Sequence, residues 1–406
     1  MGTKVVVLGG CGAVGSVAVK TLVPVSDFSS IIIADINSDR ARELVDEISS
    51  EKVSAVKVDA NNPETIIKAI DDADVVLNCI GPFYKYAAVV LKAAIDAGKD
   101  YVDVCDDVDA TREILELDVE ARKAGITAVI GMGSSPGVTN LLARFAYDSL
   151  LDEVDTIDIY HAHGGEPFEG PGVVAHRFHS MSIDIPVFID GEFRTAKFFE
   201  ESGKTLEEEI DFIKLGKYPV HPYPHPETIT MPRYLTGVKR VTNKGTVLPY
   251  EYFQLTMNIV KLGMTSETPL KVKDAMVSPH DFAIAYIIEQ RERILKETSF
   301  GSQRGCVKIV VGGKKDGKLH RYEFSIASEK QALGEGTGIP AALASILLKR
   351  GNITAKGVLP PEACVEPLDF LTVMREVLDL ESSTGGASPL IIESIDEYGK
   401  VERIDL

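Results

Sequence analysis

Two groups of residues in this chain have the types and spacing to do chemistry. The first is Gly10-Cys11-Gly12-Ala13-Val14-Gly15, a G-x-G-x-x-G turn. In such a turn Gly10 permits the tight bend, Gly12 lets a pyrophosphate approach the backbone, and Gly15 lets the next helix pack on the strand. Ala13 and Val14 open that helix, whose unpaired N–H groups face the phosphates. Asp35, about 20 residues past the last glycine, can accept hydrogen bonds from an adenosine ribose and repel a 2′-phosphate. The pattern predicts NAD, with NADP as the second option because Arg40 lies close.

The second group is a run of histidines: six of the eight fall between His161 and His225. His161 and His163 share one face of a strand-like stretch, and His176 and His179 flank Arg177. Imidazoles titrate near neutrality and a guanidinium pairs with carboxylates, which suits a carboxylate-bearing small-molecule substrate. Nothing resembles HExxH, and no carboxylate or cysteine stands at supporting spacing, so no metal is expected.

These residues need elements to hold them. Lys4–Leu8 reads as a strand, followed by the glycine turn, a helix to about Leu22, and a second strand, Ile31–Ala34, ending at Asp35. The alternation continues with strands at 53–58, 74–80, 101–104 and 126–130, and helices at 63–70, 87–97 and 110–123. Strand–helix repeats of this length predict a parallel, buried sheet of Rossmann type, an α/β architecture. Ligands of such sheets bind beyond the carboxyl ends of the strands. Besides the glycine turn, that rule singles out Asp59-Ala60, Gly81-Pro82-Phe83 and Asp103–Asp107. For Asp59 and Asp103, turn formation or helix capping is an equal alternative to ligand contact.

Gly131–Asn140 is a glycine- and serine-rich crossing into a region with a different texture. Beyond it lie strands near 156–161 and 186–189, a five-proline stretch from Lys214 to Arg233 that excludes regular helix, a helix at 279–298 and a hairpin at 306–327. The chain thus divides into residues 1–133 for the nucleotide, 134–335 as an α+β substrate and oligomerisation domain, 336–380 and 381–406. Across the start of the third segment Gly334–Pro340 reads as a second glycine-rich loop before a helix from Ala341; the fourth is a Ser/Gly linker and a hairpin-like tail around Tyr398-Gly399.

A length of 406 residues exceeds what one core usually supports. The formal charge of −18 opposes nucleic-acid binding, and no apolar run reaches membrane-spanning length. No signal peptide is readable, and five widely spaced cysteines without a CxxC pair suggest neither a disulfide framework nor zinc, so a cytoplasmic protein is expected, forming a homodimer.

Together the segments resemble the saccharopine dehydrogenase (saccharopine reductase) family, including its lysine 6-dehydrogenase and carboxynorspermidine dehydrogenase branches. The matching residues are Gly10–Gly15, Asn78–Phe83, Tyr101-Val102-Asp103, Gly131–Asn140 with Pro136-Gly137, Gly336–Pro340 and Gly357–Glu362. The middle, about 164–273, matches only loosely. The resemblance implies an α+β substrate domain inserted into the Rossmann domain, with the helices from about Ala341 returning to pack on it. It also implies an NAD(P)-dependent oxidoreductase acting on a C–N bond. Lysine or a lysine conjugate is the favoured substrate, and a polyamine-forming reductase such as carboxynorspermidine dehydrogenase is the alternative. A non-catalytic dinucleotide-binding regulator is the rival from another class. By position, Ile80-Gly81-Pro82-Phe83 would line the nicotinamide and Asp59-Ala60 the adenine side. Only a neutral amine can expel hydride, so a base is required. Asp103, His176 and His179 are the candidates, with Arg177 clamping a carboxylate.

Overall fold

The computed structural model describes residues 2–166, 169–328, 333–378 and 390–404. The first half alternates as the pattern predicts: β1 (Lys4–Leu8), α1 (Ala13–Leu22), β2 (Ser30–Asp35), α2 (Ser38–Ile48), β3 (Val53–Lys57), α3 (Pro63–Ile70), β4 (Val75–Asn78), α4 (Phe83–Asp96) and β5 (Asp100–Asp103). The helix expected over 110–123 is two helices, α5 (Val108–Leu115) and α6 (Asp118–Ala124); Gly125, in the left-handed region, ends the second before β6 (Thr127–Val129). Asn37 and Asn62 cap α2 and α3, each side chain accepting a backbone N–H of the first turn. α7 (Val138–Ser149) then leaves the crossing loop.

The second region carries β7 (Glu153–Gly164), α8 (Pro171–Ser182), β8 (Ile185–Ile189), β9 (Glu192–Ala196), the short α9 (Glu201–Lys204), β10 (Glu208–Phe212), β11 (Gly216–Pro222), α10 (Glu227–Tyr234), β12 (Arg240–Leu248) and α11 (Tyr250–Lys261). β13 (Leu270–Val272), β14 (Ala275–Val277), α12 (Pro279–Glu297), β15 (Arg304–Lys315) and β16 (Lys318–Ser328) follow. The proline stretch does contain a helix after all: α10 admits Pro232, and in only eight residues the missing N–H interrupts little.

The chain then returns with α13 (Leu333–Arg350), β17 (Gly357–Leu359), α14 (Pro361–Cys364) and α15 (Pro367–Leu378), and ends in β18 (Leu390–Ile395) and β19 (Val401–Ile404). The linker expected from residue 381 lies outside the described residues up to 389; the tail hairpin pairs antiparallel with β16 of this same chain.

Two sheets organise these elements. One is parallel and seven-stranded, in the order β17-β6-β5-β4-β1-β2-β3; the other is mixed, running β10-β11-β12-β7-β15-β16-β18-β19, with β8 and β9 branching from β12. The strands of the first sheet read Val/Ile-rich because helices cover both faces. Ala341–Leu348 of α13 joins their core, so the returning helices pack where the resemblance implied. The glycine run is not a loop: it is the first half of α13. A Cβ on Gly338 would lie 2.6 Å from the Val14 carbonyl oxygen, so this glycine lets α13 press directly on α1. Arg350 at its far end bridges Asp27 and Glu376. Among the described residues, no helix is long and apolar enough to cross a membrane.

Candidate active site

The glycine turn leaves β1 and enters α1 as expected, with one shift. The left-handed residue is Gly9, at φ 71°, and Gly10 is required for another reason: a Cβ there would lie 2.7 Å from the Val7 oxygen. At Gly15 a Cβ would lie 2.3 Å from the Gly9 oxygen, so the helix could not sit this close. No side chain caps α1 at Gly12, and its first N–H groups stay available to a phosphate. Asp35 ends β2 beside the turn, accepting the N–H of Cys11 at 3.2 Å and of Asn37 at 3.0 Å. Arg40 is engaged by Glu43 and Glu47. A turn with open N–H groups and a carboxylate beside it are therefore present, and a dinucleotide fits them.

Further along the same sheet edge, buried side chains shape the loops. Asn78 donates to the Tyr101 hydroxyl at 2.9 Å and accepts the Ile80 N–H at 3.0 Å. Tyr101 donates to Asp103, whose other oxygen accepts the N–H groups of Cys105 and Gly131 at 3.0 and 2.7 Å. Asp103 is fully buried, and burial pushes its carboxyl up to about 6 against these bonds. It ties the end of β5 to the loop after β6, with both oxygens engaged inside the protein. Asp59 likewise closes its own turn by accepting both N–H groups of Asn61.

The residues that do face the second region are the next two carboxylates. His176 on α8 places Nδ1 3.2 Å from Asp107 and Nε2 3.9 Å from Asp106. Asp107 also accepts the Tyr84 N–H at the start of α4, which fixes it beside the Gly81-Pro82-Phe83 turn. Burial opposes a charge on His176, but the two carboxylates outweigh it and raise the imidazole to about 9. Potential ligand atoms of Asp106, Asp107 and His176 lie within 4.8 Å of one another, close enough to share one cation. Asp106 and Asp107 fell in a segment singled out by strand position, yet only their tertiary meeting with His176 distinguishes them from Asp103.

Arg177 turns its guanidinium to Glu169 and Tyr252, within electrostatic reach of Tyr223 and His176. It is buried against Glu169, which also accepts the Tyr252 hydroxyl and lies 3.4 Å from Arg291, so its charge is already matched. His179 rests its ring 5.2 Å from that of Tyr84. Asp103 and Arg177 are thus both engaged by protein groups, while His176 and its two carboxylates stand at this sheet edge near the nucleotide cradle. That fold and arrangement define an NAD(P)-dependent dehydrogenase.

Residues 5–129 match the family described as the saccharopine dehydrogenase NADP binding domain. Carboxynorspermidine synthase of Vibrio cholerae is 26% identical, the match covering 92% of this chain and 96% of that protein. Carboxyaminopropylagmatine dehydrogenase of a Synechocystis species is 23% identical, over 92% and 95%. Apo saccharopine dehydrogenase (L-Glu forming) from Saccharomyces cerevisiae shares the fold with a TM-score of 0.68 at 18% identity, over 93% of this chain and 97% of the other. The chain is an NAD(P)-dependent oxidoreductase whose residues 5–129 match the saccharopine dehydrogenase NADP binding domain.

Proposed function

We propose that this protein reduces the imine between a polyamine-type amine and an amino-acid aldehyde, giving a carboxylated secondary amine. The observation that carries the reading is the pair of carboxylates on one imidazole, Asp106 and Asp107 around His176, at the carboxyl end of β5. NAD(P)H, when bound, supplies the hydride. His176 holds a proton at neutral pH and can keep the imine nitrogen protonated, the form that accepts hydride; Asp107 orients the ring. Asp106, with about two-fifths of its side chain exposed, offers its carboxylate to an ammonium group. Run backwards, the neutral imidazole takes the proton from the amine. Both full-length relatives bear names of carboxylated polyamines, which favours a polyamine-type amine over the free lysine preferred from sequence. Asp35 favours NAD, since Arg40 is spoken for by Glu43 and Glu47.

The test is a matrix of diamines and polyamines against amino-acid semialdehydes, with NADH and NADPH in parallel, read by loss of cofactor absorbance. Consumption only when amine and aldehyde are both present supports the reading. Oxidation of free lysine with no condensation activity would overturn it, and loss of activity on chelation would make the Asp106–Asp107–His176 group a metal site instead.

We further infer a cytoplasmic homodimer. Five unpaired thiols suit a reducing compartment. The β13–β14 hairpin stands as its own two-stranded sheet with Leu270, Val272 and Met276 exposed, and Leu262 and Phe282, before and after it in the chain, are exposed as well. Two strands alone are marginal in water. A second copy is the fitting cover, because Lys271 and Lys273 on the hairpin complement a chain of net charge −18. Leu270→Asp with Met276→Asp is expected to give monomers in sedimentation; a wild-type monomer at micromolar concentration sinks the idea.

A further inference from the structure

A second imidazole cluster adjoins His176 from the mixed sheet. His161 on β7 meets Tyr223 and His225, which lie between β11 and α10; ring centroids are 5.3 Å apart for His161–Tyr223 and 5.9 Å for His225 with each of the others. Tyr223 faces Ser180, whose hydroxyl lies 3.5 Å from His176 Nε2, so the cluster and the reactive pair are contiguous. His225 Nδ1 donates to Glu227 at 2.7 Å. The other oxygen of Glu227 accepts the hydroxyls of Ser135 at 2.5 Å and Thr139 at 3.0 Å, donors that favour its anionic form. Burial works against a charge on His225, but the Glu227 carboxylate draws its imidazole upward, toward the form with a proton on Nε2 as well. Among the described residues no group accepts from that Nε2. His161 is buried nearby with the Asn243 amide as its neighbour, and burial together with His225 and His163 holds its imidazole low and uncharged. A buried N–H left without an acceptor, as at His225 Nε2, is completed by a ligand or a water.

We propose that His225, flanked by His161 and Tyr223, is the subsite for the α-carboxylate of the amino-acid portion of the substrate, while Asp106 receives an ammonium. This deepens the imine-reductase reading and rests on it for the identity of the cleft. From sequence this role falls to Arg177, whose guanidinium is bonded to Glu169 and Tyr252; His225, paired through Nδ1 with Glu227, keeps Nε2 for a ligand.

The experiment is calorimetric binding to the protein with cofactor present, using two matched pairs: lysine against cadaverine, and 2,4-diaminobutyrate against 1,3-diaminopropane. Each pair differs by one carboxylate. Wild type is expected to bind the acid about tenfold to a hundredfold more tightly than its decarboxylated twin, the range for a hydrogen bond to a charged group. His225→Asn is expected to bring that ratio close to one while amine and cofactor affinities hold. Tyr223→Phe, which keeps the ring, is expected to lower the ratio in part and covers the case in which His225→Asn folds poorly. A wild-type ratio near one, ratios unchanged in both variants, or equal loss for acid and amine would overturn the subsite. Acid preference without turnover in the condensation matrix would sink the reaction and leave the subsite standing; turnover without acid preference would do the reverse.

Discussion

The nucleotide turn and the Asp106–His176 cluster sit on the same edge of the parallel sheet and are built in opposite ways. The turn is six consecutive residues whose working groups are backbone N–H donors, held open because Cβ atoms are missing. The cluster is made of side chains from two distant stretches, and its neighbours reach further still, Ser135 meeting Glu227 across 92 residues and Asn140 meeting Glu362 across 222. One site is broken by adding atoms, the other by removing them. One binds through fixed dipoles with no dependence on protonation near neutrality; the other depends on how burial and carboxylates set a proton.

The comparison is broken most directly at His176. His176→Gln is expected to lower the reductive kcat by about a hundredfold to ten thousandfold, the usual span for a general acid, with cofactor affinity unchanged. Stopped-flow turnover and cofactor titration on one preparation check both halves. With the imidazole raised to about 9 from its ordinary value near 6.5, its ion pair with Asp107 contributes fully below pH 6.5 and is lost as pH rises through 9. Reductive kcat/KM should therefore fall through about pH 9 and the oxidative rate rise there, both limbs vanishing in His176→Gln. A flat profile in wild type removes His176 from the proton step.

Gly15→Ala tests the other site. Its Cβ would stand 2.3 Å from the Gly9 oxygen, so the turn must open, at about 1–3 kcal/mol, and cofactor affinity should drop by about tenfold or more. Acid–amine discrimination at His225 should persist. Asp103→Asn sharpens the contrast with the smallest expected change in rate. An amide cannot accept from all three donors around it, so stability should fall by about 1–3 kcal/mol in urea unfolding, while turnover of the folded protein changes only a few-fold. A large loss of turnover in the folded variant would return Asp103 to the reaction.

Much of this is legible in the sequence alone. The turn, Asp35 and the β–α alternation are local features: a strand needs its apolar run, a tight turn its glycines, a helix its cap. The same locality misled at Gly334–Pro340, where glycines and a proline imitate a loop. Contact with α1 makes a helix of that run, and Gly338 is there for the closeness of the packing. The histidines stand out in the sequence as a group, but composition gives no means to rank them. Arg177 reads as a free clamp until Glu169 is seen against it, and His225 reads as a loop residue until Glu227, Ser135 and Thr139 converge behind it.

The sequence by itself determined the dinucleotide fold and the glycine turn, because backbone conformation at a turn depends on residues that are neighbours in the chain. Only the tertiary structure decided which titratable groups could act. Charge, burial and open donors are properties of what a side chain meets, and Asp103, Asp106 and Asp107, adjacent and chemically alike in the chain, are separated by those meetings alone.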